Sequence, residues 1–326
     1  MANAEVAPVL TRTMASQAPK VRRFSARARQ AALLAVSFAA LWTCDALAGW
    51  RDEMKSFRIG MVAADGEQAV PGLSRIRSAF AAALGIPVDT FVARDHASLI
   101  EAEAKGRVDY AIGSTAAYAI AAKLCACVEP VVAPLGEDGS VGIAVVIVTR
   151  DGRLAGLTDI DKRRIALAPP DSLARTLLPG VALAPEGISF TGNERYLVHT
   201  ENASAAEALL IEGAVDAIVG WALVPADAEA GLRGGTIERL VEAGMERDAL
   251  SVVWRSPTLR YGPHVLRAGM DPEVKLLLTG FLTALKARQP DLYALVEHKH
   301  GGGFAAVNAA DYAVAVDAAS RTVAAK

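Results

Sequence analysis

The chain has 326 residues, of which 52% are hydrophobic and 21% charged, and its formal net charge at pH 7 is -2. This composition predicts a folded protein with one large or two medium cores, and it argues against intrinsic disorder. Beyond residue 48 no basic stretch is interleaved with aromatic residues, so we expect no nucleic-acid partner.

The first 48 residues are basic, with six Lys or Arg against two acidic residues. An apolar run from Ala31 to Trp42 follows, and Ala46-Leu47-Ala48 then fits the small-x-small rule for signal peptidase. We expect 1–48 to be a cleaved signal peptide, Met1 or Met14 to be the start, and the mature protein to begin at Gly49 in the periplasm. The alternative is a permanent membrane anchor, which is disfavoured because the apolar run is too short to span a bilayer.

Cysteine and histidine spacing predicts neither a metal site nor a cofactor. Cys125 and Cys127 are the only cysteines after the predicted signal, and a bond between them would be strained because one residue separates them. The five histidines lie at no zinc-type spacing. We interpret His298 and His300, which precede three glycines, as a solvated helix end, with a binding site as the alternative.

Strand and helix patterns alternate in the first part of the chain. Strands are expected at 56–62, 85–92 and 108–113, with helices over 71–84 and 95–105. This βαβαβ order predicts a largely parallel sheet. Ser114 and Thr115 follow the third strand and precede a helix over 116–123. Their hydroxyls and the first N–H groups of that helix are therefore expected at the sheet edge where α/β proteins bind ligands.

A second alternation follows the β-branched run 141–150, which is long enough to leave one lobe and enter another. Segments 104–113 and 211–220 resemble each other, since each contains a helix end, a glycine and a Val-Asp pair that opens a strand. This repeat predicts two lobes of like design. The remaining elements are expected as strands at 165–168, 196–200, 215–221 and 250–254, and helices at 204–212, 271–287 and 291–296.

The stretch 163–180 has the pattern of a strand that enters a tight turn and then a helix. Asp171 or Ser172 is predicted to cap this helix. Its N-terminus would offer free N–H groups and the positive end of the helix dipole to an anion. The alternative is an ordinary βα turn without a ligand.

The order of these segments resembles the phosphate/phosphite/phosphonate-binding receptors of ABC importers, which are type II periplasmic binding proteins. The similarity extends from Phe57 to Tyr312 and includes Leu84-Gly85-Ile86-Pro87-Val88, Arg164 to Pro179 and Val253-Trp254-Arg255-Ser256-Pro257. The resemblance implies two doubly wound α/β lobes joined by a two-segment hinge. We expect lobe 1 at 49–143 and 258–326, and lobe 2 at 144–257, in a monomer that delivers a small anion to an ABC permease in the inner membrane.

Some positions depart from the family pattern. Asp171 stands in a turn that is usually rich in Thr and Ser, where a carboxylate would repel a phosphonate unless Arg175 turns inward to offset it. Ala222 occupies the position of a family acid that can hold a substrate amine. We therefore expect a phosphate- or phosphonate-like ligand of altered identity. The predicted ligand-binding residues are Ser114, Thr115, Tyr118, Asp171, Ser172, Arg175, Asn202 and Trp221.

Three classes of function stay open at this point. A solute receptor for uptake is favoured by the export signal, the repeated lobe design and the absence of recognisable catalytic groups. An enzyme is disfavoured, because no Ser-His-Asp order, nucleophile elbow or paired carboxylates can be identified. A ligand-sensing partner of a membrane signalling protein is the alternative on the same fold, since lost ligand residues would suit such a role.

Overall fold

The computed structural model describes residues 49–168, 178–190 and 193–324. The predicted signal peptide and the predicted site residues Asp171, Ser172 and Arg175 lie outside the described residues. From Trp50 onward the chain forms one unit that contains two six-stranded sheets. Within the described part of the chain, no helix has both the length and the apolar character needed to cross a membrane.

The first sheet has the strand order β12-β4-β11-β3-β1-β2. Strands β1 to β3 are parallel and confirm the predicted βαβαβ unit, but β11 runs antiparallel to β3 and β4, and β12 antiparallel to β4, so the sheet is mixed. Its strands are β1 (Phe57–Val62), β2 (Val88–Ala93), β3 (Tyr110–Ile112), β4 (Val128–Gly136), β11 (His264–Arg267) and β12 (Gly301–Ala306). Its helices are α1 (Trp50–Glu53), α2 (Leu73–Leu84), α3 (His96–Ala104), α4 (Thr115–Leu124), α8 (Pro272–Arg288) and α9 (Pro290–Val296).

The second sheet has the order β10-β5-β8-β6-β7, and β9 pairs with residues 146–150 at the C-terminal end of β5. Strands β6, β7 and β8 are parallel, whereas β5 runs antiparallel to β8. Its strands are β5 (Ser140–Arg150), β6 (Ile165–Leu167), β7 (Leu197–His199), β8 (Ala217–Pro225), β9 (Leu250–Arg255) and β10 (Leu259–Arg260). We call each sheet, together with the helices given with it, one half of the protein. The helices of the second half are α5 (Leu178–Leu183), α6 (Ala203–Ile211) and α7 (Gly235–Glu242).

The two segments that resemble each other in sequence have the same local structure. Gly106 and Gly213 end α3 and α6 with φ values of 62° and 74°, a left-handed conformation that glycine adopts without strain. In each segment, the aspartate that precedes the next strand accepts a backbone N–H. Arg58 N donates to Asp109 at 3.0 Å and Arg164 N to Asp216 at 2.9 Å. The same type of hydrogen bond thus fixes the start of a strand in each sheet, β3 in the first sheet and β8 in the second.

Helix α8 covers the first sheet with an apolar stripe. Its fully buried residues recur at spacings of three and four, which keeps them on one face of a helix. They join a core that contains the aromatic rings of Phe80 and Tyr110, whose centroids are 5.2 Å apart. The buried residues of the stripe are Val274, Leu278, Leu282 and Leu285.

The chain passes between the sheets twice, at 137–139 and at 261–263. Gly262 in the second passage approaches the end of β3 so closely that a Cβ there would lie 2.3 Å from the carbonyl oxygen of Gly113. The lobe boundaries predicted near 143 and 258 stay predictions.

Helix α10 (Ala313–Ala324) was not predicted, because the sequence-based assignment ended at residue 296. It packs against α4 of the first half and α5 of the second half. Ala315 and Ala319 belong to one buried cluster with Ala119, Leu178 and Leu183. This helix therefore connects the cores of the two halves.

Cys125 and Cys127 form a disulfide with their Cα atoms 4.9 Å apart. The residue between them, Ala126, has a φ of 49°, in the left-handed region that residues other than glycine rarely adopt. A tight turn at the end of α4 thus brings the two thiols together.

Candidate functional site

A pocket of about 290 Å³ lies at the carboxyl end of β3, and we call it the histidine pocket. It combines the start of α4, the second passage between the sheets and the segment that leads from α9 into β12. Its lining is rich in groups that donate hydrogen bonds. The described residues that line it are Ile112, Gly113, Ser114, Thr115, Pro134, Ile143, Leu259, Arg260, Tyr261, Gly262, His264, Val296, Glu297, His298, Lys299 and His300.

The start of α4 supplies a hydroxyl to this pocket. Ser114 caps the helix by accepting the N–H of Ala117 at 3.1 Å, and this bond leaves its own hydroxyl proton for another acceptor. Thr115 differs, because its hydroxyl donates to the carbonyl oxygen of Arg260 at 2.7 Å and so fastens the helix to β10. The donor available to a ligand is therefore Ser114, together with the first N–H groups of the helix and the positive end of its dipole.

His264, at the start of β11, is fully buried, and its Nδ1 lies 2.5 Å from the hydroxyl of Tyr110. Burial lowers the pKa of His264 to about 4, so the ring is neutral near pH 7. If the tyrosine donates to Nδ1, the ring proton of the neutral imidazole resides on Nε2. Nε2 is buried and has no partner among the described residues, which is costly unless an acceptor arrives.

His300 is held in place by Glu297. One carboxylate oxygen accepts the N–H of Lys299 at 2.7 Å, the N–H of His300 at 3.2 Å and lies 3.2 Å from Nδ1 of His300. Burial of Glu297 works against ionisation, but these bonds and the nearby histidines lower its pKa on balance. The imidazole of His300 also lies against Tyr261, with ring centroids 4.0 Å apart. The interpretation of His300 as part of a solvated helix end was wrong, because long-range packing on Tyr261 orders it; His298 is exposed.

A second pocket, of about 400 Å³, lies at the carboxyl end of β6 and against residues 218–221 of β8, and we call it the apolar pocket. Trp221 forms one wall, but it lies in the middle of β8 and not at the end of the strand, where the sequence pattern placed it. Asn202 precedes the pocket residue Ala203, but it is exposed and caps α6 by accepting the N–H of Ala205 at 2.9 Å. The described residues that line the pocket are Ile143, Val145, Ala168, Ala203, Ala206, Glu207, Ile218, Val219, Gly220, Trp221, Thr236 and Arg239.

The polar side chains of the apolar pocket are engaged with one another. Glu207 accepts from Nε of Arg239 at 2.9 Å, and the guanidinium carbon of Arg239 lies 5.3 Å from the ring centroid of Trp221. The hydroxyl of Thr236 accepts the backbone N–H of Trp221 at 3.0 Å. Among the described lining residues, the surface that remains for a ligand is apolar.

The two pockets adjoin, since Ile143 of β5 lines both. Of the predicted site residues, Ser114 and Thr115 lie in the histidine pocket and Trp221 in the apolar pocket, with Asn202 beside it. Tyr118 lines neither pocket, because it is buried in the core of the first half with its ring 5.1 Å from that of Tyr312.

The sequence analysis missed Tyr261 and His264 as pocket residues and gave a binding site at His300 only as the alternative. In the sequence, only the three glycines that follow His300 draw attention to it, and no local pattern indicates Tyr261 or His264. Within the described ranges, no group of three or more His, Cys, Asp or Glu side chains could hold a metal ion.

Comparisons with known proteins identify relatives of this chain. Residues 59–312 match the family described as "ABC transporter, phosphonate, periplasmic substrate-binding protein". The chain is 25% identical over 199 residues to the phosphate-import protein PhnD of Mycolicibacterium smegmatis, a match that covers 58% of this chain and spans only 59% of that protein.

Similar folds occur in XAC2383 from Xanthomonas citri bound to ATP and in transferrin 1 from Manduca sexta. XAC2383 has a TM-score of 0.53 at 16% identity, with 83% of this chain and 99% of that chain covered. Transferrin 1 has a TM-score of 0.52 at 14% identity, with 82% and 46% covered. These two likenesses concern the fold alone, which is that of type II periplasmic binding proteins. The match of the family model over most of the chain places this protein in the family of periplasmic substrate-binding proteins of ABC phosphonate transporters.

Proposed function

We propose that this protein is a receptor of an ABC importer that binds a small phosphate- or phosphonate-like anion between its two halves and passes it to a permease in the inner membrane. The observation that carries the proposal is the histidine pocket. There a capped helix start, a buried imidazole Nε2 without a partner among the described residues and the cationic side chain of Lys299 converge, while Arg260 is paired with Asp311 at 3.1 Å. The predicted signal peptide would bring the chain to the periplasm, where it would act as a monomer.

The charge balance of this pocket supports an anion. Glu297 is the one acid among its described lining residues, and it accepts the backbone N–H groups of Lys299 and His300 and lies beside Nδ1 of His300; Asp311 offsets Arg260 from outside the lining. A tetrahedral oxyanion accepts several hydrogen bonds at once, and helix starts bind such groups without a formal cation. We infer binding without chemical conversion, because the pocket supplies donors for a stable anion, and we assign no cofactor.

Titration calorimetry with phosphate, phosphite, methylphosphonate and sulfate tests the proposal. We use Ser114→Gly, because glycine keeps most of the N-cap stability while removing the hydroxyl. The loss of a hydrogen bond to a charged ligand should weaken binding about 10- to 150-fold. His300→Ala should weaken binding as well, whereas His96→Ala, on an exposed residue of α3, is the matched control.

The proposal fails if none of these anions binds, or if Ser114→Gly and His300→Ala bind them as the unmodified protein does. A pull-down of the ligand-loaded protein with its membrane partner distinguishes uptake from signalling. A permease as the captured partner supports uptake, and a membrane kinase supports the sensory alternative.

A further inference from the structure

We propose that Asp311 and Tyr312 of the first half hold the second passage in place and so stabilise an open arrangement of the two halves against closure. We call the contacts of these two residues with Arg260 and Tyr261 the clasp. Neither Asp311 nor Tyr312 lines either pocket, so both are positioning residues. The inference goes beyond the proposed function, because it concerns what lowers the affinity for any ligand that is bound by closure.

Both clasp residues are held by the first half, where they follow β12 along the chain. The side chain of Tyr312 is buried, and its ring centroid lies 5.1 Å from that of Tyr118. The carboxylate of Asp311 accepts the backbone N–H of Asn308 at 2.9 Å, as part of a capping box. These contacts fix both side chains relative to the first sheet.

The segment that the clasp residues contact belongs to the second half. Arg260 lies in β10, and the N–H of Tyr261 extends the pairing of that strand by donating to the carbonyl oxygen of Val141 in β5 at 3.2 Å. The hydroxyl of Tyr312 donates to the carbonyl oxygen of Tyr261 at 2.8 Å. The guanidinium of Arg260 lies 3.1 Å from the carboxylate of Asp311. These polar contacts therefore connect the two halves beside the second passage.

The clasp depends on the relative orientation of the halves. A hydrogen bond weakens steeply when its angle falls below about 120°, whereas the burial of apolar surface is non-directional. The ion pair of the clasp is only partly exposed, at 26% for the side chain of Arg260 and 22% for that of Asp311. Helix α10 follows directly and contacts both halves through an apolar cluster that includes Ala315 and Ala319. Rotation of the halves would therefore break the clasp before it exposed this cluster.

The clasp is formed while the described walls of the two halves are apart. The apolar pocket takes its described lining from the second half alone. From that half, the described lining of the histidine pocket includes only Ile143, Leu259 and Arg260, which lie in β5 and β10. A ligand enclosed by both halves therefore requires further closure. Contacts that stabilise only the open form reduce the populated fraction of the closed form, and they lower the apparent affinity by the same factor.

Tyr312→Phe tests the clasp, because it removes the hydroxyl and keeps the ring. Tyr196→Phe is the matched control, since the hydroxyl of Tyr196 also donates to a carbonyl oxygen, that of Ser189 at 2.7 Å, but within the second half. Asp311→Asn removes the charge of the second contact and keeps an acceptor for the N–H of Asn308.

Spin labels on two exposed helix positions report the distance between the halves without any ligand. Ala97→Cys in α3 and Ala208→Cys in α6 carry the labels, in a chain that also has Cys44→Ser and keeps its native disulfide. One lost hydrogen bond corresponds to a factor of about 2 to 10 in a conformational equilibrium. We expect the combined clasp variant to raise the ratio of closed to open molecules about fourfold or more, and Tyr196→Phe to leave it unchanged.

Calorimetry with methylphosphonate and phosphate supplies the second readout. We expect Tyr312→Phe and Asp311→Asn each to bind these anions about 2- to 10-fold more tightly than the unmodified protein. Tyr196→Phe should lose stability at unchanged affinity. Unchanged or weaker affinity in both clasp variants overturns the inference and leaves the proposed function standing. If none of the anions binds, the proposed function fails, and the label distances alone decide the inference, which an unchanged distance distribution then overturns.

Discussion

The hydroxyl of Tyr110 on β3 and Nδ1 of His264 on β11 lie 2.5 Å apart between two neighbouring antiparallel strands. Both side chains are fully buried, and burial raises the pKa of the tyrosine well above its ordinary value while it lowers that of the histidine. The contact therefore joins two neutral groups. It holds in place a ring that borders the histidine pocket.

Tyr110→Phe tests this contact. Removal of the hydroxyl leaves a second nitrogen of a buried imidazole without a partner, so we expect a loss of about 1–3 kcal/mol in the free energy of unfolding. Urea denaturation measures the change. Tyr118→Phe is the control, since Tyr118 packs in the same half by its ring, and an equal loss in both variants would contradict the assigned role of the Tyr110 hydroxyl.

Ionisation of two buried side chains, His264 and Glu103, should change the free energy of unfolding with pH in opposite directions. The pKa of His264 falls from 6.5 to about 4 on folding, so the unfolded state binds its proton first and stability rises with pH from about 4 to 6.5. Burial raises the pKa of Glu103 from 4.5 to about 7, so the folded state holds that proton longer and stability falls as pH rises from 4.5 to 7. Each contribution amounts to about 3 kcal/mol at most.

In the unmodified protein the two contributions largely cancel between pH 4.5 and 6.5. Glu103→Gln removes one of them, and we expect the free energy of unfolding of this variant to rise with pH across that interval. Urea titrations at several pH values measure the slope. A slope in Glu103→Gln that equals the one in the unmodified protein would show that Glu103 ionises normally.

Gly262→Ala should damage the histidine pocket. The added Cβ would lie 2.3 Å from the carbonyl oxygen of Gly113 and 2.9 Å from Cα of Ser114, and neither backbone atom can move without shifting the start of α4. We expect weaker anion binding in calorimetry, by about tenfold or more, since the Ser114 hydroxyl would be displaced. Gly280→Ala is the control, because nothing lies within 4 Å of its added Cβ and alanine favours a helix. Unchanged affinity in Gly262→Ala would argue against a ligand at this helix start.

Ligand binding should bring the two halves together. The passages at 137–139 and 261–263 are short, so the halves can rotate about them with little change inside either sheet. Small-angle scattering with saturating methylphosphonate should show a smaller radius of gyration than the protein alone. An unchanged radius with binding proven by calorimetry would count against closure.

Asp109 and Asp216 occupy equivalent positions, but their substitution should differ in cost. Asp109 is buried and accepts two bonds from the Arg58 guanidinium, at 2.8 and 2.7 Å, whereas the bond from Arg164 N to Asp216 lies at an exposed position. We expect Asp109→Ala to lower the free energy of unfolding by about 3 kcal/mol and Asp216→Ala by about 1 kcal/mol. Equal losses in urea denaturation would show that the ion pair contributes little.

The elements that could be predicted from the sequence are those with local signals. The β1 to β3 unit alternates apolar runs with helices that begin at a cap and end at glycine, and the structure reproduces it with shifts of a few residues at strand ends. Strands β11 and β12 gave no such signal, because they are short and are defined by pairing with β4, more than 100 residues away.

The same limit applies to the candidate site. Ser114 could be predicted as a cap at a strand end, since cap and strand are adjacent in sequence. The partnership of Tyr110 with His264 spans 154 residues, and that of Tyr261 with His300 depends on two separate loops. No periodic pattern encodes such a juxtaposition.

The position of helix α10 also bears on how the chain acquires its structure during synthesis. Ala315 and Ala319 complete a cluster that includes Ala119 from the first half and Leu178 from the second. Until residues 313–320 have emerged, both halves expose apolar surface that this helix covers in the finished protein. A chain that leaves the ribosome N-terminus first therefore leaves this one cluster incomplete until its last helix is available, whereas the clusters around Phe80 and Val146 need no residue of α10.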